Sequence, residues 1–147
     1  FMADALAESR GEMWFAGGTN LVKFAGERFT RMAPPSSDVP LKAPFRFVSG
    51  ADGTLWFACT DRVWRRAGEA WQLVAGPMEL RSAVQGLAAA RDGGVWIAGP
   101  NNVRHFSGGP LRRTLTRPAN ARGDLLEMLE DSRGNLWLGG AQHGFSS

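Results

Sequence analysis

The chain reads as short apolar runs separated by turn chemistry, in an order that repeats four times. Each repeat opens on a strand-like run: Ala3 to Glu8, Phe45 to Ser49, Gln85 to Ala90 and Leu125 to Glu130. A turn follows at Gly11, Gly53, Gly93 and Gly134, where glycine relieves the positive φ that a tight hairpin needs. The second run is Met13 to Ala16, Leu55 to Ala58, Val95 to Ala98 and Leu136 to Leu138. It is apolar at successive positions rather than alternating, which predicts a strand covered on both faces. A third run (Leu21 to Phe24, Val63 to Arg65, Val103 to Phe106) and a fourth (Phe29 to Met32, Trp71 to Val74, Leu111 to Leu115) complete the first three repeats. No amphipathic helix stands out. Leu125 to Glu130 (LLEMLE) has a helical look, but the turn chemistry in register around it predicts a strand.

The repeats are pinned by Trp14, Trp56, Trp96 and Trp137, at spacings of 42, 40 and 41 residues, inside SRGEMWFAG, ADGTLWFAC, RDGGVWIAG and SRGNLWLGG. Four short antiparallel strands per ~40 residues is the arithmetic of a propeller blade. The predicted fold is therefore all-β: blades of four antiparallel strands, about three and a half of them, over residues 3–32, 45–75, 85–117 and 125–147. The linkers, Ala33 to Pro44, Gly76 to Val84 and Arg117 to Asp124, are expected as loops, the proline-rich first one running over a surface. A sheet stack of this kind leaves an apolar blade face at each end. The chain also starts at Phe1 rather than Met, so it reads as a partial propeller from a longer protein or as part of a ring completed by another chain.

Composition adds constraints on function. Hydrophobic residues make up 44% and charged residues 21% of the 147, the balance of a soluble globular protein, and no apolar run approaches the ~18 residues of a membrane span. The net charge of +3 comes from scattered basic residues, with pairs at Arg65-Arg66 and Arg112-Arg113 but no dense stripe. Nucleic acid is thus not an expected partner, and no membrane contact by this segment is expected. The lone Cys59 sits in the column of Gly17, Gly99 and Gly140, so it reads as a small-residue slot rather than a reactive thiol.

Most of the chemistry-bearing residues have a packing explanation. Aromatics at a structural period are core, so the four repeat tryptophans read as inter-blade packing together with the turn glycines; Trp64 and Trp71, off that column, read as core or edge. His105 and His143 lack metal-ligand spacing, and no metal or cofactor is expected. Gly17-Gly18 and Gly139-Gly140 lack the context of a phosphate loop. Glu127 and Asp131 share a strand face at period 2, with Glu130 opposite, and would be the acids of a lyase or glycosidase. The plainer reading is that Asp131 caps turn donors ahead of Gly134. For ligand contact at one end of the channel, the polar candidates are Arg46, Arg81, Arg122 and Asn101-Asn102.

One motif carries a resemblance. Glu130-Asp131-Ser132-Arg133-Gly134-Asn135-Leu136-Trp137-Leu138-Gly139-Gly140, with Gly144-Phe145 after it, resembles the repeat of the two-component regulator propeller family, and Ser9 to Gly17, Asp52 to Ala58 and Asp92 to Gly99 are weaker copies. Aligned on the tryptophan, the acidic pair Glu130-Asp131 is replaced by Ala7-Glu8, Ser49-Gly50 and Ala89-Ala90. A WD repeat fits less well, since no Asp follows the Trp. A sialidase-type Asp box also fails, with Ser9, Ala51, Arg91 and Ser132 where its Asp belongs. The resemblance implies a non-catalytic periplasmic input module of a bacterial signalling protein that binds a small molecule or saccharide, or pairs with a second copy. The alternatives are a lyase or glycosidase fragment, and a structural module that completes a ring.

Overall fold

The computed structural model describes residues 5–107, 111–118, 125–140 and 144–146. The chain folds into four antiparallel sheets, each an up-and-down meander. The first holds β1 (Ala5–Ser9), β2 (Glu12–Gly17), β3 (Asn20–Ala25) and β4 (Arg28–Met32). The second holds β5 (Phe45–Ser49), β6 (Leu55–Cys59), β7 (Arg62–Ala67) and β8 (Ala70–Ala75). The third holds β9 (Gly86–Ala89), β10 (Val95–Ala98), β11 (Asn102–Phe106) and β12 (Leu111–Thr116). The fourth has three strands, β13 (Leu125–Glu130), β14 (Leu136–Gly140) and β15 (Gly144–Ser146). Strands β1, β5, β9 and β13 touch in succession and form the inner edge of the stack. This is a partial β-propeller of about three and a half blades, and LLEMLE is a strand in it.

The period-2 pleat sorts each sheet into a forward face and a backward face. Trp14, Ala16 and Leu21 of the first blade meet Leu55, Phe57 and Trp64 of the second. Trp56, Ala58 and Val63 of the second meet Leu87, Val95, Ile97 and Phe106 of the third. Trp96, Ala98 and Val103 of the third meet Met128 and Leu138 of the fourth. The same columns thus build each interface, with Trp as the large residue and Ala two positions on as the small one that admits it. Trp14 and Trp56 are 1% exposed. Burying ~150–250 Å² of indole at ~25 cal/mol/Å² contributes about 4–6 kcal/mol per tryptophan before entropy is charged. Strands β6 and β10 are buried along their whole lengths, the result of being sandwiched.

Trp137 departs from its column: it is 36% exposed, beside Leu129 at 40%. Its forward face is uncovered because no described sheet follows it. The opposite end of the stack is similarly open, at Leu6 and Phe29.

Strand pairing also corrects the linear alignment of the repeats. Glu130 lies opposite Leu136, as Ser49 does opposite Leu55 and Ala89 opposite Val95. In the first blade Glu8 lies opposite Met13, because its β1–β2 connection is one residue shorter. Glu8 therefore holds the place of Glu130, not that of Asp131.

The linkers do more than cross the surface. The second contains a single helical turn, α1 (Pro77–Leu80), which the sequence pattern did not predict. Gly76 precedes it, Pro77 fits its first position, and the Glu79 carboxylate accepts the Gly76 N–H at 2.7 Å. Its Leu80, with Val84, completes the core between blades two and three. The first linker buries Leu41, against the expectation of a surface path. Its Lys42 donates its N–H to Cys59 Sγ at 3.2 Å, while that thiol donates to the Lys42 carbonyl at 3.1 Å. Cys59 thus has a structural partner that a glycine in this column would lack.

Candidate binding site

Two kinds of end close the stack. At one, the innermost strands begin and the β2–β3, β6–β7 and β10–β11 turns gather. At the other lie the glycine turns. The described sequence candidates, Arg46, Arg81, Asn101 and Asn102, fall at the first end. Arg81, Asn101 and Asn102 line one cleft of about 380 Å³ with Leu80, Ser82, Gly99, Pro100 and Arg104. Arg81 follows α1 in the left-handed region, φ 59°, which ends the helix. Its Nε lies 3.5 Å from the Met78 carbonyl, too long to hold the guanidinium firmly. The lining holds two guanidinium groups, two side-chain amides and a hydroxyl, and no carboxylate. Its net character is cationic and rich in hydrogen-bond donors.

Arg46 does not line this cleft. Its Nε donates to the Gln85 carbonyl at 3.3 Å and its Nη1 to the Phe45 carbonyl at 3.1 Å, which ties the second blade to the start of the third. Arg122 lies outside the described residues, as does His143.

Arg117, which sequence reasoning saw only as the start of a linker, supports the cleft from beneath. It is 1% exposed. Its Nη1 donates to the Gly99 carbonyl at 2.8 Å and to Gln85 Oε1 at 2.9 Å, and its backbone N–H donates to the Asn101 carbonyl at 2.7 Å. The Gly99 N–H donates in turn to the Asn102 carbonyl at 2.9 Å. The loop that presents the two asparagines is therefore held by buried polar bonds from Arg117 as well as by its own turn bond. No local signal marks Arg117, because its partners are 18 and 32 residues away.

At the glycine-turn end the polar residues are absorbed in structure. Gly11, Gly53, Gly93 and Gly134 all have φ between 81° and 89°. The Ser9 hydroxyl donates to the Gly53 carbonyl at 2.6 Å, and Arg10 reaches the Asp52 carbonyl at 3.3 Å, both from blade one to blade two. Glu130 accepts the Trp96 indole N–H at 3.2 Å and the Arg91 N–H at 2.7 Å, joining blade four to blade three. His105 stacks on Trp96 at 4.7 Å and meets Asp92 at 3.0 Å. Burial pushes the Asp92 carboxyl up, but the Gly94 N–H and His105 outweigh it and leave the group below the usual range. Arg66 lies over the rings of Trp14 and Trp71, 4.9 and 5.1 Å from their centroids, as a cation shared by two indoles. Trp64 and Trp71 both pack in the core between blades one and two.

Asp131 lies in the turn after β13 rather than in the strand. The Trp137 indole, the Asn135 and Arg133 backbone N–H groups and the Asn135 amide all donate to it, and they hold its pKa at about 2. Glu127 is exposed on β13, opposite Gly139. Among the described residues no cluster of three or more His, Cys, Asp or Glu side chains could hold a metal ion, and no helix is long and apolar enough to cross a membrane.

The chain matches no family model and no curated protein. Solved structures do match it. A catalytically inactive virginiamycin B lyase from Staphylococcus aureus with quinupristin superposes with a TM-score of 0.70 at 17% identity, over 90% of this chain and 47% of the lyase. The WD40 β-propeller domain of Doa1 gives 0.67 at 15%, over 93% and 47%. An extracellular domain assigned to a hybrid two-component system of Bacteroides thetaiotaomicron gives 0.53 at 11%, over 97% and 26%. The chain spans about half the length of the first two. These likenesses establish a β-propeller-like fold shared by several distinct families.

Proposed function

We propose that this chain is a non-catalytic binding module of a bacterial sensor propeller, and that its ligand is a small anionic molecule such as a carboxylate-bearing saccharide. The observation that carries the reading is the cleft of Arg81, Asn101, Asn102 and Arg104, set at the end where inter-blade linkers and inner turns converge. Guanidinium groups match a carboxylate in charge and in planar fork geometry, and the asparagine amides suit hydroxyl groups. The volume of about 380 Å³ suits a monosaccharide-sized ligand. The four-fold resemblance to the two-component regulator propeller repeat supports a place in the periplasmic input region of a signalling protein. The likeness to the extracellular two-component domain is in keeping with that place.

The catalytic alternative has less support. Asp131, at a pKa of about 2, is ionised at neutral pH and occupied by its own turn, so it is poorly suited to donate a proton. Titration calorimetry of the purified protein against neutral hexoses, hexuronates and small dicarboxylates tests the reading. The expected result is heat only with the anionic members, with affinity reduced at least tenfold by Arg104→Gln and by Asn101→Ala. Binding of neutral sugars alone, or affinity unmoved by either variant, would refute it. So would turnover of any of these compounds that Glu127→Gln abolishes.

A further inference from the structure

We propose that the two open faces of the stack are the complementary halves of one more inter-blade interface, and that a second copy of this chain fills both, head to tail, closing a ring. The register makes the match specific. Every internal interface sets Trp and Ala of a forward face against an apolar backward column. That column is Phe47, Leu55 and Phe57 in blade two, Leu87, Val95 and Ile97 in blade three, and Met128, Leu136 and Leu138 in blade four. In blade one the same positions are Leu6, Met13 and Phe15, and no described sheet packs on them: Leu6 is exposed, while Met13 and Phe15 are half-buried within their own sheet. Phe24 and Phe29 extend this face, with ring centroids 4.6 Å apart and Phe29 69% exposed. Trp137, Gly139 and Leu129 form the unmatched forward face at the other end.

A polar contact follows the same register. The Trp96 indole N–H reaches Glu130, the carboxylate at the foot of the next blade's inner strand. Blades two and three carry Ser49 and Ala89 at that place, and only blade one offers a second carboxylate, Glu8. Among the described residues Glu8 accepts the N–H of Gly11 in its own turn, at 2.9 Å. Docked in register, Trp137 of one copy faces Glu8 of its partner as Trp96 faces Glu130, and its single indole N–H, which donates to Asp131 in the isolated chain, would pass to Glu8. Glu127 is the one charged side chain of the docking columns on the forward face. It holds the column of Arg46, whose guanidinium donates to the Gln85 carbonyl of the next blade. A carboxylate cannot use such an acceptor, and Glu127, exposed on β13, is expected to keep its charge in water at the rim of the contact.

The occupant follows from geometry. Twice the four sheets of one copy lies within the range of closed propellers. The contact is heterologous, and a two-fold axis makes it occur twice and close. Pairing blade one with blade one would instead oppose Phe29 to itself and leave Trp137 bare.

Sedimentation velocity of the chain across a concentration series tests this. The expected species has twice the mass of one chain. Phe29→Asp spoils one face and Leu129→Asp the other; both residues are exposed, and circular dichroism confirms that each variant folds. Each variant alone is expected to be monomeric, while an equimolar mixture recovers a dimer through its one intact contact. Glu8→Ala, which removes no apolar surface, is expected to weaken the dimer several-fold and to shift the Trp137 indole N–H resonance in the dimer. A monomeric wild type, a dimer that Leu129→Asp leaves intact, or a mixture that stays monomeric would each overturn the proposal.

Discussion

Arg117→Met separates a buried supporting residue from the exposed basic residues around it. Methionine keeps most of the aliphatic stem, so packing is largely retained while the guanidinium is lost. The Gly99 carbonyl, fully buried, then has no donor from Arg117, and Gln85 Oε1, half-buried, loses one too. An orphaned buried acceptor costs about 1–3 kcal/mol, and the half-buried Gln85, which water can partly satisfy, adds about 1 kcal/mol, so the two together cost about 2–4 kcal/mol. Relief from burying a cation offsets part of this, leaving a net loss of about 2 kcal/mol. For a domain of this size that lowers Tm by roughly 5 °C. Urea unfolding followed by circular dichroism would read it as a lower midpoint with an unchanged m-value. The control is Arg112→Met on exposed β12, where the bond lost among the described residues is the exposed one from Nε to Ser107 Oγ at 3.0 Å, and where less than about 0.5 kcal/mol is expected. Because Gly99 and Asn101 are held through Arg117, ligand affinity at the cleft should fall with stability in the first variant and not in the second. If the two variants unfold at the same urea concentration, the buried bonds do not support the loop and the reasoning fails.

Three further outcomes follow from other parts of the stack. Trp56→Ala should cost about 3–5 kcal/mol, and Trp137→Ala only about 2 kcal/mol when dimer contacts are removed with Phe29→Asp; equal losses in chemical denaturation would mean that burial does not distinguish the two. Gly93→Ala and Gly94→Ala should differ although the residues are adjacent. The first pays only for φ 89°, about 1–2 kcal/mol, whereas a Cβ at Gly94 strikes the Phe106 carbonyl and Ser107 Cα, backbone that cannot swing aside, for about 3 kcal/mol or more. Matched urea midpoints would contradict this. The Asp131 carboxyl, lowered from 3.8 to about 2, stabilises its turn fully above pH 4 and loses that contribution as the pH falls through 2. In the monomeric Phe29→Asp variant, where Trp137 keeps its bond to Asp131, the indole N–H resonance should therefore titrate with a midpoint near 2 and not near 4.

Much of the architecture was legible in the chain because its determinants are local and periodic. The strand runs, the turn glycines and the apolar character of β6 and β10 recur at a fixed interval, and each repeat repeats the same short-range geometry. Even α1 had a local signal in Gly76-Pro77-Met78-Glu79, a capping arrangement too short to show a helical period. Arg81, Asn101 and Asn102 could be named as polar loop residues, but nothing in the sequence said that they share a cleft, since α1 and the β10–β11 turn meet only when the sheets stack. Arg104 was overlooked because it sits in a strand whose periodicity explains it.

The sequence alone determined that this is a stack of antiparallel blades, three of them four-stranded and the fourth partial, since side-chain period and turn chemistry act over a few residues. The tertiary structure decided what identical phrases become. Trp14, Trp56 and Trp96 are buried and Trp137 is not, because burial depends on whether a neighbouring sheet is present and not on the phrase that carries the indole. It also placed Glu8 at the position of Glu130, through a one-residue difference in a turn that alignment on the tryptophan conceals. Hydrogen-bond register between strands, rather than spacing along the chain, sets which side chains face across an interface.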